Sequence, residues 1–317
     1  MSHLLARYAE AAFWMGRYVE RAESLARVID VNDTFSRSSR GIADWNAVLA
    51  LYADEENFRR RYGEPTPQNV VHFYLFDRTN PGSIISSIQY ARENARTLRP
   101  MISTEIWEHL NVFNKELGQM DERLVESPGL YRTCNRIKER CQTHYGVVEA
   151  TMYRDETWYF CQLGTLLERG AQTAHYLDVR YRDLVPDEGN SDDDFDAAQW
   201  TALLRSQAGL HGYRRTTRKG ITPRRVSEFL LFERRFPRSV ASCINSLEET
   251  FDGLCQSFGL SHGDASAELI SSLSRRLGDA DIDTVIERGL HQTLDRIQTE
   301  LYALSDRLHR DFFGRSP

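Results

Sequence analysis

Nowhere in this chain of 317 residues is there an apolar run of about 18, the length a helix needs to cross a bilayer. The opening residues, Met1-Ser2-His3-Leu4-Leu5-Ala6-Arg7, lack the basic start, apolar centre and small-residue cleavage site of a secretory leader. They already read as helix, and the expected location is the cytoplasm. Cysteine is sparse: five residues, an odd number at wide spacing, with no C-x-x-C pair. That excludes a disulfide framework and a zinc-ribbon site. Cys141 and His144 lie one helical turn apart, but two ligands do not make a metal centre. Familiar catalytic signatures are missing too: no G-x-S-x-G, no G-K-[ST] phosphate loop, no dinucleotide fingerprint and no H-E-x-x-H. Excess positive charge is absent, since the net charge is −6, so the surface as a whole is no match for nucleic acid.

What the sequence has in abundance is helical periodicity. Proline-free stretches rich in Ala, Leu, Arg and Glu run from Leu4 to about Phe35, from Ser103 to about Leu117, and twice between Gly129 and about Arg182. Sustained strand alternation is missing, so the expected fold is all-α, a multi-helix bundle. Thr66-Pro67 pairs a capping residue with proline at the first helical position. Asn80-Pro81-Gly82-Ser83 opens the next helix, which Pro100 ends. Further helices are expected at Ala197–Gln207, Pro223–Phe232, Arg238–Phe258, Ser261–Leu277 and Ile282–Phe312. An acidic, turn-rich stretch from Asp187 to Asp194 either divides the chain into 1–186 and 196–317 or is a long loop within one domain of 1–317.

One helix is echoed by another. Gly16, Glu20, Arg21, Ala26, Asp30 and Val31 recur in register as Gly164, Glu168, Arg169, Ala174, Asp178 and Val179, which predicts an internal duplication. In the first copy Gly16, Glu20, Glu23, Arg27 and Asp30 share a polar stripe, while Arg21 falls inside an apolar one. An arginine at a packing margin needs a carboxylate or carbonyl partner. Two readings stand: reciprocal ion pairs, such as Arg21 with Glu168 and Arg169 with Glu20, or a polar pocket whose arginines grip a carboxylate or phosphate with their planar forks.

Other charged groups follow the same logic. Arg92, Arg96 and Arg99 share one helix face and therefore require acidic or anionic partners, with Glu105 and Glu108 as the candidates. Those two carboxylates lie one turn apart, yet the Glu-x-x-His spacing of di-metal bundles is missing, so no metal is expected. Arg214 to Arg225 form a basic cluster that reads either as a solvated loop or as an anion site. In Phe236-Pro237-Arg238-Ser239-Val240, Pro237 is expected to open a helix with Arg238 in its first turn. A cation there opposes the helix dipole and calls for an anionic partner.

Taken in order, Phe13-Trp14-Met15-Gly16-Arg17-Tyr18-Val19-Glu20-Arg21-Ala22-Glu23, Asn80-Pro81-Gly82-Ser83-Ile84, Ala91-Arg92-Glu93-Asn94-Ala95-Arg96, Glu105-Ile106-Trp107-Glu108, Leu167-Glu168-Arg169, Leu203-Leu204-Arg205-Ser206 and Phe236-Pro237-Arg238-Ser239-Val240 resemble the bacterial alpha-E family across nearly the whole chain. The resemblance implies a helical fold with a Glu-x-x-Arg motif, met outright by Glu93 to Arg96 and in part by Glu20 and Glu23. It also implies association with ATP-grasp-type amide ligases, and in some systems with transglutaminase-like proteins. The expected function is a component of a peptide or amide-bond-forming system acting on a peptide or amino acid. Under that expectation Glu20, Glu93 and Arg21 are catalytic, and Arg17, Arg27, Arg92, Arg96, Glu105, Glu108, Glu168, Arg169 and Arg238 bind ligand. ATP and Mg would sit on the partner ligase, with no cofactor bound directly by this chain. The alternative is a non-catalytic helical scaffold whose Glu-Arg motifs are structural ion pairs.

Overall fold

The structure is a computed structural model that describes residues 4–36, 45–120, 129–184, 193–217, 219–260 and 263–314. Among them there are fifteen α-helices and no strand. They run α1 (Ala6–Ser36), α2 (Trp45–Leu51), α3 (Glu55–Tyr62), α4 (Pro67–Leu75), α5 (Ile84–Thr97), α6 (Thr104–Gln119) and α7 (Gly129–Thr151). Then come α8 (Glu156–Leu184), α9 (Asp193–Ser206), α10 (Leu210–Thr216), α11 (Pro223–Phe232), α12 (Val240–Phe258), α13 (Asp264–Asp279), α14 (Ile282–Glu287) and α15 (Leu290–Leu308). The acidic stretch up to Asp192 lies outside the described residues; Asp193 and Asp194 open α9.

The chain clusters into two compact units, one of residues 1–17 and 154–317, the other of 18–153. In the first, α8 packs against α12 and α15, and α13 packs against the same two helices, closing a four-helix ring. In the second, α5 packs on α6 and α6 on α7. The C-terminal half of α1 completes that set: Tyr18 meets Tyr90 of α5 at a ring separation of 5.2 Å, and Glu20 accepts from Tyr145 of α7.

The duplication therefore reaches well beyond the Glu-Arg helix. Thr66-Pro67 with Val70, Phe73, Leu75 and Phe76 recurs at identical spacing as Thr222-Pro223 with Val226, Phe229, Leu231 and Phe232. Thr66 caps α4 by accepting from the Asn69 amide, and Thr222 caps α11 by accepting from the Arg225 amide. Ser83 and Ser239 then cap α5 and α12. Each serine hydroxyl also donates to the carbonyl six residues back, Ser83 to Asp77 at 2.8 Å and Ser239 to Glu233 at 2.7 Å. The core rows agree as well. Leu130, Cys134, Ile137, Cys141, His144 and Val148 on α7 have the spacing of Leu290, Leu294, Ile297, Leu301, Leu304 and Leu308 on α15, and all twelve are buried.

Three sequence expectations need correction. The helix expected over Ile282–Phe312 breaks at Gly289, whose φ of 91° is left-handed and unfavourable for other residues, and its last turn from His309 to Phe313 is π-helical. Arg214 and Arg215, read as part of a basic cluster, lie in α10 (Leu210–Thr216), where the buried Tyr213 anchors the turn by donating to the Gly220 carbonyl. Ser239, not Pro237, supplies the cap of α12, so Arg238 precedes the helix and is not in its first turn.

Candidate functional site

Of the residues singled out by sequence, Arg17, Glu20 and Glu168 sit on buried polar stripes, one in each unit. In the unit of residues 1–17 and 154–317, Arg17 donates from Nε to Glu168 at 2.7 Å and from a terminal nitrogen to Ser305 of α15 at 2.8 Å. Its guanidinium also lies over the Trp14 ring, 4.7 Å from the centroid. The second Glu168 oxygen accepts from Gln172 at 2.9 Å. Farther along α8, His175 meets Gln298, and Asp178 takes His291 at 2.7 Å and Gln298 at 3.4 Å. Partner numbers on α15 fall as those on α8 rise, so the two helices are antiparallel.

Gly16 and Gly164, equivalent in the echo, explain why both copies begin with glycine. A Cβ on Gly16 would stand 2.3 Å from the Cys161 carbonyl oxygen, and one on Gly164 would stand 2.0 Å from that of Phe13. The two helices touch backbone to backbone, and only glycine permits that approach.

In the unit of residues 18–153 the stripe of α1 meets α7. Glu20 is fully buried and accepts from Tyr145 at 2.8 Å. Glu23 accepts from Arg27 at 3.1 Å and from Gln142 at 3.4 Å, and Asp30 pairs with Lys138 at 2.6 Å. Lys138, Gln142 and Tyr145 each follow a core residue of α7. On α15 the corresponding positions include Gln298 and Ser305, so Asp30–Lys138 and Asp178–Gln298 are matching contacts. Sequence reasoning missed these partners. The signal that could have found them is a polar residue directly after each member of the two matching core rows.

Arg21, which is half-buried, places its guanidinium 5.5 Å from the centroid of Tyr18. Glu20 and Arg21 belong to one unit and Glu168 and Arg169 to the other. On α5 the expectation about partners fails. Arg92 donates to Asn111 and to Glu93, each at 2.6 Å, and Arg96 pairs with the other Glu93 oxygen at 2.7 Å. Arg92 and Arg99 both lie over Trp107, 5.4 and 5.2 Å from its centroid. One carboxylate and one indole thus absorb three like charges, while Glu105 and Glu108 stay exposed on α6. Arg238 is buried. In the basic cluster, Arg224 grips Asp283 with two hydrogen bonds of 2.9 and 2.8 Å, and Arg214 and Arg215 are exposed.

One model of known families matches residues 4–313, described as a predicted α-helical domain with a conserved ER motif. The chain belongs to the Alpha-E family. Adjacent Glu and Arg occur in the echoed helices as Glu20-Arg21 and Glu168-Arg169. Relatives include uncharacterised proteins of Mycobacterium bovis and Mycobacterium tuberculosis, each 22% identical over 92% of this chain. This Alpha-E chain spans about a third of their length, 34%. No solved structure matches it.

Among the described residues no group of three or more His, Cys, Asp and Glu is placed to hold a metal ion. All five cysteines are free thiols, four buried and Cys255 half-buried. No described helix is long and apolar enough to cross a membrane. On α7 the buried His144 lies 5.8 Å, ring to ring, from His109 of α6, and neither of its nitrogens has a hydrogen-bond partner. Burial pushes its pKa down to about 3, and the neighbouring His109 adds to the effect. His109 is also lowered, chiefly by burial, although it contacts the Arg140 carbonyl at 2.9 Å.

Proposed function

We propose that this Alpha-E chain is an accessory component of a bacterial, cytoplasmic system that forms peptide or amide bonds beside an ATP-grasp-type ligase. In this reading its Glu-Arg residues hold the helical scaffold and do no chemistry. The ligase holds ATP and Mg, activates a peptide or amino-acid carboxylate as an acyl phosphate, and this chain presents the partner surface.

The observation that carries the scaffold role is the state of Glu168. Both its oxygens are occupied, by Arg17 at 2.7 Å and by Gln172 at 2.9 Å, and Arg17 is further spent on Ser305 and the Trp14 face. A carboxylate that accepts on both oxygens, one of them from a guanidinium, is a poor general base, and Arg17, buried with it, has little surface left for a ligand. Glu93, shared between Arg92 and Arg96, is in the same position. The reach of the relatives well beyond the matched region agrees with a module that works alongside other protein.

The test is reconstitution with the cognate ligase, ATP and Mg. Product should depend on the presence of this chain. A folded R17M/E168L double variant, which removes the pair without stranding a charge, should support product formation at the wild-type rate. Product that is identical with and without the chain rejects the component role. Loss of product with the folded double variant rejects the scaffold role in favour of a catalytic or carboxylate-binding Glu-Arg pocket.

A further inference from the structure

Away from the Glu-Arg stripes, α11, α13, α14 and α15 line a half-open cleft of about 580 Å³, within the range of small-molecule sites, with Arg275, Arg288 and Arg296 exposed at its rim. Its floor is apolar, with Phe232, Leu277, Val285 and Ile297. Four arginines line it: Arg275 and Arg276 from the end of α13, Arg288 just after α14, and Arg296 from α15. Arg276 is neutralised by Glu300, to whose two carboxylate oxygens its two terminal nitrogens donate. Arg275, Arg288 and Arg296 have no ion pair among the described residues, whereas Arg224, in the first turn of α11, pairs with Asp283 and Glu228. Among the described residues that line it, Asp279 carries the one carboxylate. Arg234 adds to the positive field, since a Cβ on Gly278 would meet its guanidinium at 3.2 Å.

We propose that this cavity binds an organic phosphate monoester, with the apolar portion on the floor and the phosphate held by Arg275, Arg288 and Arg296. Three free arginines against one aspartate leave two net positive charges, the complement of a phosphate monoester of about −1.5 to −2 at neutral pH. Guanidinium forks suit phosphate oxygens, and Ser272 adds a hydroxyl to the lining, whereas the Thr284 and Thr293 hydroxyls already donate to Asp281 and to the Gly289 carbonyl. Inorganic phosphate would answer the charge but leave the floor unfilled. A neutral apolar molecule would fill the floor but leave the three arginines around the cleft without an anion. The inference stands independently of the amide-bond reading, because none of these residues belongs to the Glu-Arg stripes.

The experiment titrates the full chain calorimetrically at low salt with 1-naphthyl phosphate, inorganic phosphate, 1-naphthol and 1-naphthoate. Saturable one-to-one binding of 1-naphthyl phosphate is expected, at least tenfold tighter than that of the other three. R288Q/R296Q should weaken it at least tenfold, and R214Q should leave it unchanged. Equal affinity in R288Q/R296Q and the wild type overturns the site; tighter binding of 1-naphthoate, or no saturable binding, overturns the ligand class. Should R288Q/R296Q fail to fold, phenylglyoxal labelling of the wild-type chain decides. Bound 1-naphthyl phosphate should slow modification of Arg275, Arg288 and Arg296 but not of Arg214, and equal labelling rates with and without it overturn the proposal.

Discussion

Arg17 and Glu168, 151 positions apart in the chain, meet at 2.7 Å with both side chains almost shut off from solvent. Breaking such a pair strands a buried charge at a cost of about 3–5 kcal/mol, whereas removing both partners is close to neutral. R17M and E168L should each lower stability by about that amount, and the double variant should recover most of it. Urea denaturation of the three variants gives the coupling energy directly; additive losses would mean that the pair contributes no specific stability.

The Gly16–Gly164 crossing leaves no room for a methyl group. G16A and G164A should each cost about 1–3 kcal/mol or more, because the atom in the way is a backbone carbonyl that cannot rotate aside. Elsewhere in a helix the same change stabilises by up to about 1 kcal/mol, so the sign alone decides. G146A on α7, where a Cβ would meet nothing within 4 Å, is the control. Thermal unfolding compares all three.

His144 occupies a core position that its counterpart on α15 fills with Leu304, and its two ring nitrogens are unsatisfied. Replacing an unpartnered buried polar group with a hydrocarbon of similar volume should be favourable. H144L is expected to raise stability by about 1–3 kcal/mol. A measured loss of stability would mean that the imidazole makes a contact the helix packing does not reveal.

The same histidine sets a pH dependence. Its pKa falls from an ordinary 6.5 to about 3 in the folded chain. The unfolded chain therefore takes up a proton first as the solution is acidified. Stability is unaffected above about pH 6.5 and declines below it by about 1.4 kcal/mol per pH unit, down toward pH 3. His109, also lowered, steepens the decline. Chemical denaturation between pH 7 and pH 5 should show this loss in the wild type and a smaller one in H144L.

Thiol reactivity should follow burial. Burial raises the pKa of Cys161 to about 12 and also raises that of Cys134, so neither supplies thiolate near neutrality. Titration with a disulfide reagent should count one thiol, Cys255, in the native chain and five after denaturation. Rapid modification of a second native thiol would contradict the packing.

The helical fold was legible because capping residues and core periodicity act locally. Thr66-Pro67 and Thr222-Pro223 start helices through contacts within four residues, and Pro223–Phe232 was placed to the residue. The partners of charged residues were far less legible. Arg92, Arg96 and Arg99 visibly needed compensation, but sequence pointed to Glu105 and Glu108. The carboxylate that serves two of them, Glu93, lies on the same helix, and Trp107 reaches them from α6. Helix phase gives direction around an axis; it does not reveal which neighbouring helix faces that direction. The cavity lined by Arg275, Arg288 and Arg296 was invisible for the same reason, since four separate helices build it.

Because α7 and α15 repeat one core row on similar backbones, the protein carries its own comparison set. A residue that looks anomalous in one copy can be judged by what its counterpart tolerates: Lys138 against Gln298 beside an aspartate, His144 against Leu304 in the interior. Exchanging such residues between copies asks whether each deviation is drift or requirement, with the fold itself held constant.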